Sequence, residues 1–183
     1  MMDQEERTGA RRDGLEQTGG GTGVAGAGPL DGFMLTKAEL VRPDHVYEEL
    51  RRLQELTFSD MAALAWVADE GREHGPYVWT CVVGSRNDRY RRMSFRRGSS
   101  GLAGTALKLG RYVTADMERT PAFARECPVM LAEKLQTALA LPVPKRETGE
   151  AVSGVLLLGS RSGLVYGQEV IEQAEAGAFR LIR

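Results

Sequence analysis

The stretch RRGSSGLAGTALKLGR, Arg96 to Arg111, is the one on which the reading of the chain turns. It leaves Arg96 and Arg97, passes through Gly98, Ser99, Ser100 and Gly101, and enters a run with helical spacing. Leu102, Ala103, Ala106, Leu107 and Leu109 form its apolar stripe, and Gly110 stands at the C′ position where a left-handed residue closes a helix. A helix start leaves up to four N–H groups unpaired and carries about half a unit of positive charge. Glycines beside it let other groups approach the backbone closely. Either the Ser99 or Ser100 hydroxyl caps those amides, or a small anion occupies them.

Outward from this stretch the pattern alternates between elements. HVYEELRRLQEL repeats Val46, Leu50, Leu53 and Leu56 at helical spacing, with Asp44 as N-cap. MAALAWV (61–67) and YVWTCVV (77–83) read as strands, separated by a charged Gly/Pro loop. Period-two alternation places Trp79, Cys81 and Val83 on one face of the second strand. RRMSF and RYVTA read as short strands. PVMLAEKL reads as a helix with Pro128 in its first turn. QTALALPVP and AVSGVLLLGS make a hairpin across the turn KRETGE. The last helix carries Val170, Ile171, Ala174, Ala178, Phe179 and Ile182. Strands grouped between end helices predict an α+β fold: an antiparallel sheet with the terminal helices on one face, and a pocket under short helices and loops on the other.

Composition bounds the function. With 42% hydrophobic and 27% charged residues, the 183-residue chain has the make-up of a globular domain with a core. No apolar run approaches the roughly 20 residues of a membrane helix, so no membrane role is expected. Asp3, Glu5, Glu6 and Arg7 stand where a secretory signal has its apolar core, so the expected setting is the cytoplasm. A net charge of −1 argues against general nucleic-acid binding. Residues 1–36 are glycine-rich and poor in large apolar groups, which predicts a flexible tail ahead of a domain over 37–183.

The order of elements (helix, two strands, a mixed middle, a hairpin, helix), together with Gly101, Gly104, Gly110 and Asp116 in GSSGLAGTALKLGRYVTAD, resembles the GAF domain, a small-molecule sensor module on an antiparallel sheet. WTCVVGSRNDRYRRM, GLAGTALKLGR and PVMLAEKLQTALALPV further resemble the NreA-type nitrate receptors, stand-alone GAF proteins that regulate a sensor histidine kinase. The resemblance implies nitrate as ligand with no other cofactor and no metal. It implies binding by the backbone donors of Leu102 and Ala103, by Trp79, and by a further backbone donor near Val129. It implies a two-component system in nitrate respiration and a non-enzymatic role. The terminal helices offer a bundle for a homodimer.

Other residues carry weaker signals. Trp66 and the methionines, including Met117 and Met130, read as core. His45 and His74 are isolated, and Asp69, Glu70 and Glu73 read as a solvated acidic loop. Arg86, Arg89, Arg91, Arg92, Arg96 and Arg97 form either a solvated hairpin or a surface for anions or an acidic partner. The alternative function is that of the GAF-type free methionine-R-sulfoxide reductases, with Cys81 and Cys127 as the cysteines available for a nucleophile and a resolving thiol. The mid-strand place of Cys81 and the surroundings of Cys127 do not fit that pattern.

Overall fold

The computed structural model describes residues 43–68, 75–144 and 152–182. The glycine-rich tail, the acidic loop with His74, and the KRETGE turn lie outside these residues.

The first helix, α1 (Pro43–Leu56), begins on a proline, and Asp44 lies within its first turn rather than at the N-cap. Proline suits the first helical position because its missing N–H has no partner there in any case. Val46, Leu50 and Leu53 are buried, but the stripe ends early: Leu56, in the last turn, is 41% exposed.

Strands β1 (Met61–Val67), β2 (Tyr77–Val83), β3 (Ser94–Phe95), β4 (Val113–Asp116), β5 (Thr137–Pro144) and β6 (Val152–Ser160) form one sheet in the order β3-β2-β1-β6-β5-β4. Every neighbouring pair is antiparallel. β1 and β6 lie at the centre and are covered on both faces, which is why MAALAWV and GVLLLG read as continuous apolar runs. Pro142 and Pro144 are tolerated in β5 because β4 pairs only with Thr137–Ala140, so no ladder donor is missed beyond it.

Two apolar cores result. On one face α1 and the last helix, α5 (Gln168–Arg180), cover Leu64, Leu156 and Leu158 with Leu50, Leu53, Ala174 and Ala178. Arg180 Nε donates to Glu49 Oε1 at 2.6 Å, and His45 Nε2 lies 3.1 Å from the Arg180 carbonyl, so the isolated histidine joins the two helices. Phe179, expected in the buried stripe of α5, is 54% exposed. On the other face lie a 3-10 helix (Arg89–Arg92), α2 (Leu102–Leu109), α3 (Pro121–Arg125) and α4 (Pro128–Glu133). The 3-10 helix and α3 were not legible as helices in the sequence, being a single turn each.

One expectation about β2 is overturned. Ala65 pairs with Trp79 while Leu64 pairs with Cys81, so Thr80 is an extra residue, a β-bulge. A bulge restarts the alternation. Tyr77 and Trp79 therefore face the core under the short helices, whereas Cys81 and Val83 face α1 and α5. Trp66 is buried on the helix-covered side, in the core as expected.

Candidate functional site

Helix α2 opens on Gly101, whose φ of 90° and ψ of 174° suit glycine, and this N-cap residue has no side chain with which to cap the helix. The serine caps allowed by the sequence are not made: Ser99 Oγ donates to the Arg96 carbonyl at 2.8 Å. The reason is packing. The Arg96–Ser99 loop folds against the flank of α2, where Gly104 has no Cβ; one built there would lie 2.8 Å from the Arg96 carbonyl and closer still to Ser99. The loop is thus held beside the helix, not over its end. The first intrahelical bond runs from the Thr105 N–H to the Gly101 carbonyl at 3.2 Å, which leaves the Leu102, Ala103 and Gly104 amides at the uncapped start. At the other end Gly110 closes the helix with φ 63°, as expected, but Leu109 is 48% exposed.

A second helix start meets the first. A Cβ on Gly101 would lie 2.5 Å from the Glu126 carbonyl, so the chain entering α4 presses directly on the opening of α2. Cys127 is the N-cap residue of α4 and Pro128 its first residue. Between them lies a cavity of about 30 Å³ lined by Trp79, Phe95, Leu102, Ala103, Cys127 and Val129 among others. The four residues expected to hold a ligand (Trp79, Leu102, Ala103 and Val129) are therefore brought together around one small hollow. Trp79 is 6% exposed, and its ring packs against Phe95 with centroids 5.2 Å apart.

Sequence reasoning missed Cys127 at this place. Burial pushes its thiol up from the ordinary value of 9.0, and the backbone N–H groups of Met130, Val129 and Leu102, directed at the sulfur, partly oppose that. At neutral pH the cavity thus presents a neutral thiol beside amide donors. The signal that was available is a cysteine directly before Pro128, at the N-cap of a helix. Cys81 lies across the sheet from it. Burial raises the Cys81 thiol too, with Thr80 and Tyr47 working against the shift.

A larger open groove, about 340 Å³, is lined by Arg111, Tyr112, Pro142, Glu175 and Phe179 among others, and touches none of the four expected residues. Leu102 and Ala103, at the start of α2, line the smaller hollow and not the groove. Among the described residues no three His, Cys, Asp or Glu side chains are placed to hold a metal ion. No described helix is long and apolar enough to cross a membrane.

Solved structures match this architecture. A nitrate-binding-site mutant of NreA from Staphylococcus aureus is 29% identical, with a TM-score of 0.60, over 70% of this chain and 92% of that one. The GAF domain region of a membrane protein from Geobacter sulfurreducens is 16% identical, with a TM-score of 0.62, over 80% and 93%. This chain has the GAF fold and resembles NreA. A further GAF neighbour is a type II free methionine-R-sulfoxide reductase from Thermoplasma acidophilum, 18% identical, with a TM-score of 0.60, over 79% and 92%; at that identity it shares the fold alone. No protein-family model matches the chain, and no curated protein matches it. Within the GAF fold, the cavity lies on the face of the sheet opposite the terminal helices.

Proposed function

We propose that the protein is a receptor for nitrate or a comparably small anion, and that it regulates a cytoplasmic sensor histidine kinase of a two-component system. The observation that carries this reading is the start of Leu102–Leu109, capped by no serine hydroxyl and met only by the neutral Cys127 thiol, opening beside Trp79 and Val129 into a cavity of about 30 Å³. Fixed amide dipoles suit an ion whose single charge is spread over three oxygens. The cavity is far below the roughly 300–1,000 Å³ of sites for drug-sized ligands, which favours an ion. The likeness to NreA, at 29% identity, supports nitrate as that ion.

The size of the ligand sets its affinity. At a ceiling of about 1.5 kcal/mol per heavy atom, a four-atom ion gains at most roughly 6 kcal/mol. That corresponds to a Kd of tens of micromolar, suited to a nutrient present at higher levels. Filling the cavity favours one arrangement of α2 and α4 over others, and the difference in affinity between arrangements is the signal passed to the kinase. Binding needs no cofactor and no covalent step.

Isothermal calorimetry with nitrate tests the reading: heat saturating in the tens to hundreds of micromolar is expected. Silence up to several millimolar overturns the ligand assignment. Nitrite, chlorate and iodide, titrated alongside, rank the anions.

The reductase reading has one observation in its favour, Cys127 at the cavity wall. Against it, the bulge at Thr80 turns Cys81 to the opposite face of the sheet, so the two thiols do not meet. Methionine sulfoxide also has more than twice the heavy atoms of nitrate. Turnover of free methionine sulfoxide that disappears in Cys127→Ser would restore that reading.

A further inference from the structure

The segment leading to α2 concentrates positive charge that the rest of the chain does not share. The whole chain has a net charge of −1, yet Arg86, Arg89, Arg91, Arg92, Arg96 and Arg97 stand against Asp88 alone within twelve residues. All six are exposed. Among the described residues only Arg91 has a carboxylate within 4.0 Å, that of Asp88 at 3.3 Å. Outside the segment Arg52 and Arg180 pair with Glu49, Arg161 with Glu133 and Arg119 with Asp116.

This charge is carried on a pinned segment. Ser85 Oγ and the Arg86 N–H donate to the two oxygens of the buried Glu133 carboxylate at 2.7 and 2.8 Å. Asn87 Nδ2 donates to the Ala132 carbonyl at 3.0 Å, and Asn87 Oδ1 accepts the Arg89 N–H at 2.9 Å. Tyr90 is buried, with the Arg91 guanidinium 5.4 Å from its ring centroid. Like charges held this close repel one another, a cost that a solvated loop would relieve by spreading.

We infer that the Arg86–Arg97 segment is a docking surface for an acidic face of a partner protein. Three classes of anionic partner would answer the charge, and the surface distinguishes them. Single-stranded nucleic acid is held by exposed aromatic rings on which bases stack; here Tyr90 is buried and no aromatic side chain of the segment is fully exposed. A membrane surface is held by exposed large apolar groups beside the basic ones, and the segment has none. Guanidinium groups without such companions fit carboxylates, which they engage in bidentate pairs. The inference goes beyond the receptor reading and does not depend on what fills the cavity.

The test uses the full chain and three labelled probes: a poly-L-glutamate peptide of about 20 residues, a single-stranded oligonucleotide of about 20 nucleotides, and vesicles of phosphatidylcholine and phosphatidylserine. The peptide is expected to bind, with an affinity that falls as salt rises. Arg92→Glu with Arg96→Glu is expected to weaken it at least tenfold. Arg119→Glu, at an exposed arginine just after β4, the sheet edge opposite β3, is expected to change it less than threefold. Circular dichroism melts of each variant confirm folding, and nitrate calorimetry of each separates the two proposals. Peptide binding without nitrate binding upholds the surface and sinks the receptor. Nitrate binding without peptide binding does the reverse. An oligonucleotide or vesicle bound as tightly as the peptide, or an Arg119→Glu loss equal to that of the segment variant, overturns the inference.

Discussion

At Gly101 two constraints coincide: a φ of 90° and the Glu126 carbonyl 2.5 Å from where a Cβ would sit. Gly101→Ala is therefore expected to lower stability by about 1–3 kcal/mol, read as a fall in the urea midpoint. It should also weaken nitrate binding, because relief requires α2 and α4 to part at the cavity. The two tryptophans give a paired measurement, since Trp79 lines the cavity and Trp66 lies under the terminal helices. Trp79→Phe keeps most of the ring but removes the indole N–H, and about a tenfold loss of nitrate affinity by calorimetry is expected. Trp66→Phe should leave affinity unchanged; equal losses in both would place the indole outside the site.

Between elements, the decisive contact is the buried pair of Glu133, at the end of α4, and Arg161, just after β6. Arg161 Nη2 donates to Glu133 Oε2 and to the Gly84 carbonyl, each at 3.0 Å, and its Nε donates to the Glu133 carbonyl at 3.0 Å. The Arg161 N–H donates to Asp60 Oδ2 at 2.6 Å, so the same residue also joins the end of β6 to the start of β1. The Glu133 side chain is 1% exposed. Removing its cation leaves a buried carboxylate held only by the Ser85 hydroxyl and the Arg86 N–H, and Arg161→Ala is expected to cost about 3 kcal/mol in urea denaturation. Glu133→Gln combined with Arg161→Met should recover much of that, since neither then buries a charge. A double variant no more stable than Arg161→Ala would mean that the hydrogen bonds, not the charge, dominate.

For the molecule as a whole, ligand and proton both act through linkage. Nitrate at about one hundred times its Kd should stabilise the folded state by about 2.7 kcal/mol and raise Tm by several degrees. Chloride at the same ionic strength is the comparison. Stability is also expected to fall at alkaline pH. Burial holds the Cys127 and Cys81 thiols and the Tyr166 phenol protonated above their ordinary values, so the folded state keeps its protons longer than the unfolded chain. Their contribution is complete below pH 9 and is lost as pH rises through the folded values. Cys127→Ala should flatten that fall in melts taken above pH 9. Nitrate affinity should weaken over the same range, because a thiolate at the cavity wall repels an anion and competes for the amides.

The sequence by itself determined the elements whose information is local. Apolar periodicity marked α1, α2 and α5, the continuous runs marked β1, β5 and β6, and Gly110 and Pro128 marked a helix end and a helix start. The layout of sheet and terminal helices followed from their order. Tertiary structure alone decided which face each residue serves. The bulge at Thr80 breaks the alternation that would put Trp79 and Cys81 on one face, and a single extra residue between paired strands has no periodic signature. Likewise, Leu56, Leu109 and Phe179 keep helical spacing yet lie in solvent, because the stripe is wider than the neighbour that covers it. The meeting of the α2 and α4 starts with Cys127 between them joins segments 25 residues apart in sequence, and no local rule brings two helix openings to one point; only packing against a common sheet does.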